Sequence, residues 1–221
     1  MDKPSFIPYN SIQFDEKEMT QRSKTFYQNL NLRRSVRDFS NQDIPREVIE
    51  KIIMTAASAP SGAHKQPWTF CAVNNPLIKS EIKKAAEKEE YESYHKRMSE
   101  EWLNALKPIG TNWQKPFLEI APWLIIVFKK AYDLDENGAR QKNYYVNESV
   151  GIACGFLISA IHQAGLVTLT HTPSPMNFLQ KILNRPENER PYLLLPVGYP
   201  SDDAKVPNFD RKSADEVIRW Y

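Results

Sequence analysis

Three arginines fall within five residues, Arg33, Arg34 and Arg37, with Ser35 and Val36 between them. Guanidinium groups carry paired donors that match phosphate oxygens, so the stretch reads either as a fork-like phosphate grip or as a solvated basic turn, and composition leaves both open. The chain has 7 glycines, none in the spacing of a dinucleotide fingerprint or a P-loop. A phosphorylated cofactor must therefore be met mainly by side chains rather than by a cradle of backbone amides. Two other stretches have the character of site loops. Ala59 to Trp68 holds Pro60, Gly62 and Pro67 between a helix and a strand, and Thr170, His171, Thr172, Pro173 form a polar strand end of the sort that faces ligands. His64 has no partner of catalytic or metal spacing and is expected at the surface. Cys71 and Cys154 have neither metal-ligand spacing nor a disulfide framework and are expected to be reduced core thiols. No obvious nucleophile and no metal cluster stands out.

The elements that must hold these residues are organised around Val150 to Ile161, which carries no charge and a single hydroxyl, Ser159. A helix of this composition has no face suited to water. It is also shorter than the roughly twenty residues that cross a bilayer, so it is expected to be buried in protein. Asn147 or a neighbour is expected to cap it and Gly165 to stop it. Gly151, Gly155 and Ser159 recur every fourth residue and admit a second backbone, which together with the apolar surround predicts a homodimer.

Strands are expected at Trp68 to Val73, Trp123 to Phe128, Leu166 to Thr170 and Tyr192 to Val197. Asp133 to Gly138 reads as a turn. Helices are expected around Met19, Phe26 and Leu30, from Pro45 to Pro60, from Leu77 to Glu90 with Leu77, Ile78, Ile82, Ala85 and Ala86 inward, and from a Ser174 and Pro175 cap through Leu183. The spacing predicts an α+β sandwich in one domain over residues 1–221. Residues 87–115, charged but interleaved with Tyr91, Tyr94, Met98, Trp102 and Leu106, read as a solvated face that doubles as a lid, and residues 201–221 as a C-terminal extension. With 41% hydrophobic residues the chain can build a core, and 29 basic against 27 acidic residues leave a net charge of +2 with no basic face for nucleic acid. The polar start suggests neither signal peptide nor membrane span, so a cytoplasmic protein is expected.

Arg33 to Arg37, Ala59 to His64 with Trp68, Gly165 to Pro173 and Leu195 to Pro200 resemble the flavin-dependent nitroreductase superfamily. Glu90 with Tyr94, then Lys96, Arg97 and Met98, then Thr111, Asn112, Trp113 and Lys115 resemble its iodotyrosine deiodinase branch. The resemblance implies a central, mainly antiparallel sheet flanked by helices in an interlocked homodimer, with FMN at interface sites held by Arg33, Arg34, Ser35, Val36, Arg37, Ser61, Gly62, Thr170, His171, Thr172 and Arg211. It further implies that Glu90, Tyr94 and Lys115 grip the amino-acid end of a halotyrosine and that the Ala63 amide meets its phenolate. Thr172 would bond the flavin N5 and favour single-electron steps in a reductive dehalogenation, with NAD(P)H or a separate reductase as electron source. Animal members carry a membrane anchor that this sequence does not show, so the soluble bacterial type is expected. A general nitro- or quinone reductase would share the arginine grip without needing Glu90, Tyr94 and Lys115. A flavin-binding protein without turnover would share the grip alone.

Overall fold

The structure, a computed structural model, describes residues 5–221 and separates into two units, Met1–Arg33 and Arg34–Tyr221. In the first unit, helix α1 (Glu16–Leu32) opens on Asp15, whose carboxylate accepts the Glu18 amide at 2.8 Å. Glu16 and Glu18 in its first turn complement the positive end of the helix dipole. The stripe of Met19, Phe26 and Leu30 predicts this helix, yet no residue of it is buried.

In the second unit the chain runs through α2 (Arg46–Ala57), β1 (Trp68–Val73), α3 (Pro76–Glu92), α4 (Glu100–Leu106), α5 (Phe117–Ile120), β2 (Trp123–Lys130), β3 (Tyr132–Leu134) and β4 (Arg140–Lys142). It continues through α6 (Val146–Gln163), β5 (Val167–Thr168), α7 (Asn177–Ile182), β6 (Glu189–Gly198) and α8 (Ala214–Val217). The main sheet has the order β1-β2-β6-β5 with every pair antiparallel, and β3 and β4 form a separate hairpin. The α+β class expected from the sequence is the one observed.

The two-residue period of a strand decides how the sheet is covered. Trp123, Ile125 and Val127 of β2, with Leu193, Leu195 and Val197 of β6, pack against Ile49, Ile52 and Ala56 of α2 and Val150, Ala153, Leu157 and Ile161 of α6. The alternate residues Leu124, Ile126, Phe128 and Leu194 pack on the other face with Ile82 and Ala86 of α3, Phe117 and Leu118 of α5 and Leu179 of α7. A strand buried on both faces has to be apolar at every position, which is why β2 reads as an unbroken hydrophobic run.

Several expectations are corrected. α6 is longer than its uncharged stretch; the single chain leaves Ile152 44% and Phe156 40% exposed, with Gly155 beside them, on the helix expected to meet a second copy. Its N-cap is Tyr145, held left-handed at φ 48°, while Asn147 instead accepts from the Lys129 ammonium at 2.8 Å. Gly165 does take the left-handed stop, at φ 76°. Leu77 is 80% exposed, because it sits in the first turn of α3 beside the Asn75 cap and ahead of the inward stripe. The third strand shrinks to Val167–Thr168, which pair with Gly198 and Val197 of β6, and beyond it His171 makes an isolated bridge to Leu194. The expected Asp133 to Gly138 turn begins only at Asp135, because Asp133 and Leu134 pair in the unforeseen β3-β4 hairpin whose tip it forms. α7 starts after Met176, and neither Ser174 nor Pro175 caps it. The α3 helix runs beyond Glu90 to Glu92, and a π-helical turn (Ser93–Arg97), α4 and a short 3-10 turn (Lys107–Ile109) make the expected lid mostly helical.

Candidate active site

On α3, Lys79, Ile82, Ala86 and Glu90 recur at helical spacing and all four are buried. The period that carries Ile82 and Ala86 into the core thus carries a lysine and a carboxylate with them. Lys79 caps α5: its ammonium donates to the carbonyls of Glu119 at 2.9 Å and Ala121 at 2.7 Å, satisfying groups that a helix end leaves open. This fixes the segment immediately after Lys115. Burial lowers the Lys79 pKa, and Glu119 opposes the shift.

Lys115, 4% exposed, lies 3.2 Å from the Glu90 carboxylate. Its ammonium also donates to Thr111 Oγ1 at 3.3 Å and to the Asn112 carbonyl, and its backbone N–H donates to Glu87 Oε1 at 2.7 Å. Tyr94 lies one turn beyond Glu90, and its ring centre is 5.4 Å from the Lys115 ammonium. Burial pulls the Lys115 pKa down, opposed chiefly by Glu90, and pushes that of Tyr94 up. Two opposite charges out of water are tolerated only as a hydrogen-bonded pair. The three residues expected to hold an amino-acid zwitterion are therefore together, with one cation, one anion and one phenol.

Against this cluster stand Arg37 and His171. The strand end is pinned by two hydrogen bonds, His171 N–H to the Leu194 carbonyl at 2.9 Å and Leu194 N–H to the His171 carbonyl at 3.1 Å. Strand alternation then turns His171 inward and leaves Thr170 and Thr172 exposed. The imidazole is 6% exposed, meets the Phe117 ring edge-on at 5.7 Å, and its Nε2 has no hydrogen-bond partner. Burial first, then the positive charges of Lys115 and Arg37, lower its pKa to about 3, so the ring is neutral at pH 7. Arg37 is partly buried, and burial lowers its pKa against the pull of Tyr94 and Asp38. Among the described residues no carboxylate lies within ion-pair distance of Arg37. A desolvated guanidinium and an orphaned imidazole nitrogen are what an anionic heteroaromatic group would satisfy.

The Ser61 to Gln66 loop is built differently. Ala63, His64 and Gln66 all have positive φ, 50°, 55° and 46°, a backbone region that costs non-glycine residues energy and persists only where neighbours enforce it. The enforcing contacts are the Gln66 N–H donating to Ser61 Oγ at 2.9 Å and the Gly62 N–H donating to Ser149 Oγ of α6 at 3.3 Å. Gly62 has no room for a side chain: a Cβ would stand 2.9 Å from the Tyr144 carbonyl oxygen and 3.0 Å from the Tyr145 ring. His64 is exposed and pairs with Gln66, as expected of a surface residue. Among the described residues no hydrogen bond or ion pair joins this loop to the Glu90, Lys115 and Arg37 cluster.

The other expected residues are placed as follows. Arg33 is the C-cap of α1, its N–H donating to the Leu30 carbonyl at 3.1 Å. Arg34 and Ser35 are exposed, with Ser35 bridged to Thr168, while Val36 is buried and its N–H donates to the Thr168 carbonyl at 3.2 Å. Arg211 is exposed in the segment ahead of α8. Sequence reading missed Ser149, the structural role of Lys79 and the Glu87 support of Lys115. The four-residue stripe ending at Glu90 was available as a signal for the first turns of α3; Ser149 carried none. Among the described residues no His, Cys, Asp and Glu cluster suits a metal, and no helix is long and apolar enough to cross a membrane.

Comparison with known proteins gives the family. The model of the nitroreductase family matches residues 30–199. An iodotyrosine deiodinase of Haliscomenobacter hydrossis is 65% identical over 99% of both chains. Human iodotyrosine deiodinase 1 is 47% identical over 96% of this chain and 74% of its own. A crystal structure of oxidised iodotyrosine deiodinase bound to FMN and 3-iodo-L-tyrosine superposes with a TM-score of 0.75 at 32% identity, covering 89% of this chain and 98% of that one. The chain belongs to the nitroreductase family, in its iodotyrosine deiodinase branch.

Proposed function

We propose that this protein is an FMN-dependent oxidoreductase that removes halogen reductively from halotyrosines, giving tyrosine and halide. The observation that carries the reading is the buried Glu90–Lys115 pair, 3.2 Å apart with Tyr94 beside it, near Arg37 and the buried His171. A zwitterion presents an ammonium to Glu90 and a carboxylate to Lys115, so each buried charge keeps a partner when it binds. Reduced FMN supplies the two electrons which, with one proton, replace the carbon–halogen bond by carbon–hydrogen. Arg37, with Arg33, Arg34, Ser35, Val36 and Arg211, would hold its phosphate and ribityl chain, and His171 would meet its ring system. Ser61 and Gly62 also belong to the cofactor set, with Thr170 and Thr172. Thr172, exposed at the strand end, would donate to or accept from the flavin N5. The Ala63 amide, held in a left-handed loop, would receive the halophenolate oxygen. Electrons come from NAD(P)H or a separate reductase, and the two free thiols, Cys71 and Cys154, fit the reducing cytoplasm, where we place the protein.

The active form is a homodimer. The Ser61 to Gln66 loop packs with α6 while the Glu90 cluster lies on the α3 and α5 face, so two copies can assemble one site from two halves. The exposed Ile152 and Phe156 stripe of α6 supports an interface there. Sedimentation at micromolar concentration is expected to show a dimer; an FMN-loaded monomer would remove this part of the reading.

The decisive experiment is anaerobic. Dithionite-reduced FMN in the protein is expected to reoxidise on addition of 3-iodotyrosine, with iodide and tyrosine released in equal amounts. Reoxidation by nitroaromatics but not by iodotyrosine would identify a general nitroreductase instead.

A further inference from the structure

We propose that Arg97 is a positioning residue that transmits closure of residues 87–115 to the strand end carrying Thr172. The proposal rests on reading that segment as the lid over a halotyrosine and Thr172 as a flavin contact. At Ser93–Arg97 the helix widens into a π-helical turn, a rare geometry that concentrates at functional sites. The turn brings two donors to one acceptor. The Arg97 guanidinium donates to the Ser174 carbonyl at 2.8 Å while also holding Glu89 Oε2 at 2.9 Å, and Ser93 Oγ reaches the same carbonyl at 3.5 Å.

Each side of this contact leads to a functional residue. On the lid side, Tyr94 lies inside the same turn and Glu90 one turn earlier, so gripping a zwitterion fixes the backbone from which Arg97 extends. On the other side, Ser174 is joined to Thr172 through Pro173, which is buried and whose ring fixes φ, so a movement at the Ser174 carbonyl is passed along rather than absorbed. The ion pair with Glu89 is half-exposed, with side-chain exposures of 46% and 25%, and as a source of stability it contributes little. A charge-assisted bond from a side chain of one element to a carbonyl of another is suited to coupling the two.

The test is hydrogen exchange on the FMN-loaded, oxidised protein with and without 3-iodotyrosine. In the unmodified protein the ligand is expected to slow exchange in residues 87–115 and also in residues 170–176. In Arg97→Ala the slowing over 87–115 is expected to persist while the ligand-induced slowing over 170–176 falls about tenfold, the weight of one lost charge-assisted bond. Arg97→Lys, which keeps a cationic donor, is expected to restore part of it. In turnover, Arg97→Ala should lower kcat with KM little changed, whereas a general loosening of the fold would move FMN retention and KM together. Full ligand protection of 170–176 in Arg97→Ala would overturn the coupling. Protection of 87–115 without any of 170–176 in the unmodified protein would overturn it too, leaving the lid reading intact. Absence of protection over 87–115 would overturn the lid reading and the coupling with it.

Discussion

Replacing Lys115 by methionine is expected to weaken halotyrosine binding by a factor of about 30 to several thousand, because removing one partner of a desolvated ion pair costs about 2 to 5 kcal/mol. The side chains of Lys115 and Glu90 are only 5% and 11% exposed, so the loss cannot be made good by water. The same geometry orders the ligands in a way that simple charge counting does not. A neutral halophenol leaves the Glu90–Lys115 pair intact, and a zwitterion exchanges it for two matched contacts. A halotyramine or a halophenylpropionate must break the pair and leave one buried charge alone. Affinity is therefore expected to run zwitterion, then neutral, then singly charged, read by quenching of flavin fluorescence. Glu90→Gln combined with Lys115→Met should bring the neutral and zwitterionic ligands together. If either singly charged analogue outbinds the neutral phenol, the pair is not what ligands must break.

The second large effect is expected at Arg37. Its guanidinium is partly buried without a carboxylate at ion-pair distance among the described residues, so an anionic cofactor is its natural partner. Arg37→Ala should weaken FMN binding at least tenfold, since a contact to a desolvated charge is worth about 2 kcal/mol or more. Arg37→Lys should fall between, because a single ammonium keeps the charge but not the fork. Because a ligand stabilises the fold according to its concentration relative to Kd, the shift in Tm on adding FMN should shrink in the same order. An unchanged Kd and Tm shift in Arg37→Ala would take the phosphate away from this position.

Much of the architecture was open to reading because it rests on short-range rules. β1 lies at Trp68–Val73 as expected, β2 follows from its apolar run, and Gly165 stops α6. The errors fall where a local signal competes with something distant. Leu77 looks inward by composition but sits beside the Asn75 cap, and Asn147 is a good cap residue that Lys129 claims instead. α6 reads as a helix with no side suited to water, and in this chain Ile152 and Phe156 are exposed along it.

For the site the division is the same. By itself the sequence determined that no glycine-rich phosphate loop is present, that an uncharged helix lies at the centre, and which motifs carry the family resemblance. What only the tertiary structure decided is which of these residues share a place. The period of α3 sends Glu90 into the core, but whether a buried carboxylate there is tolerable depends on Lys115, which reaches it because Lys79 fixes α5 and Glu87 holds the Lys115 amide. His171 is a titratable residue like any other in the sequence. It becomes a neutral ring with an unpartnered nitrogen only because the sheet turns it inward between two cations. Hydrophobic periodicity is written along the chain, whereas desolvation and charge pairing are properties of points in space, and those exist only once the chain has folded.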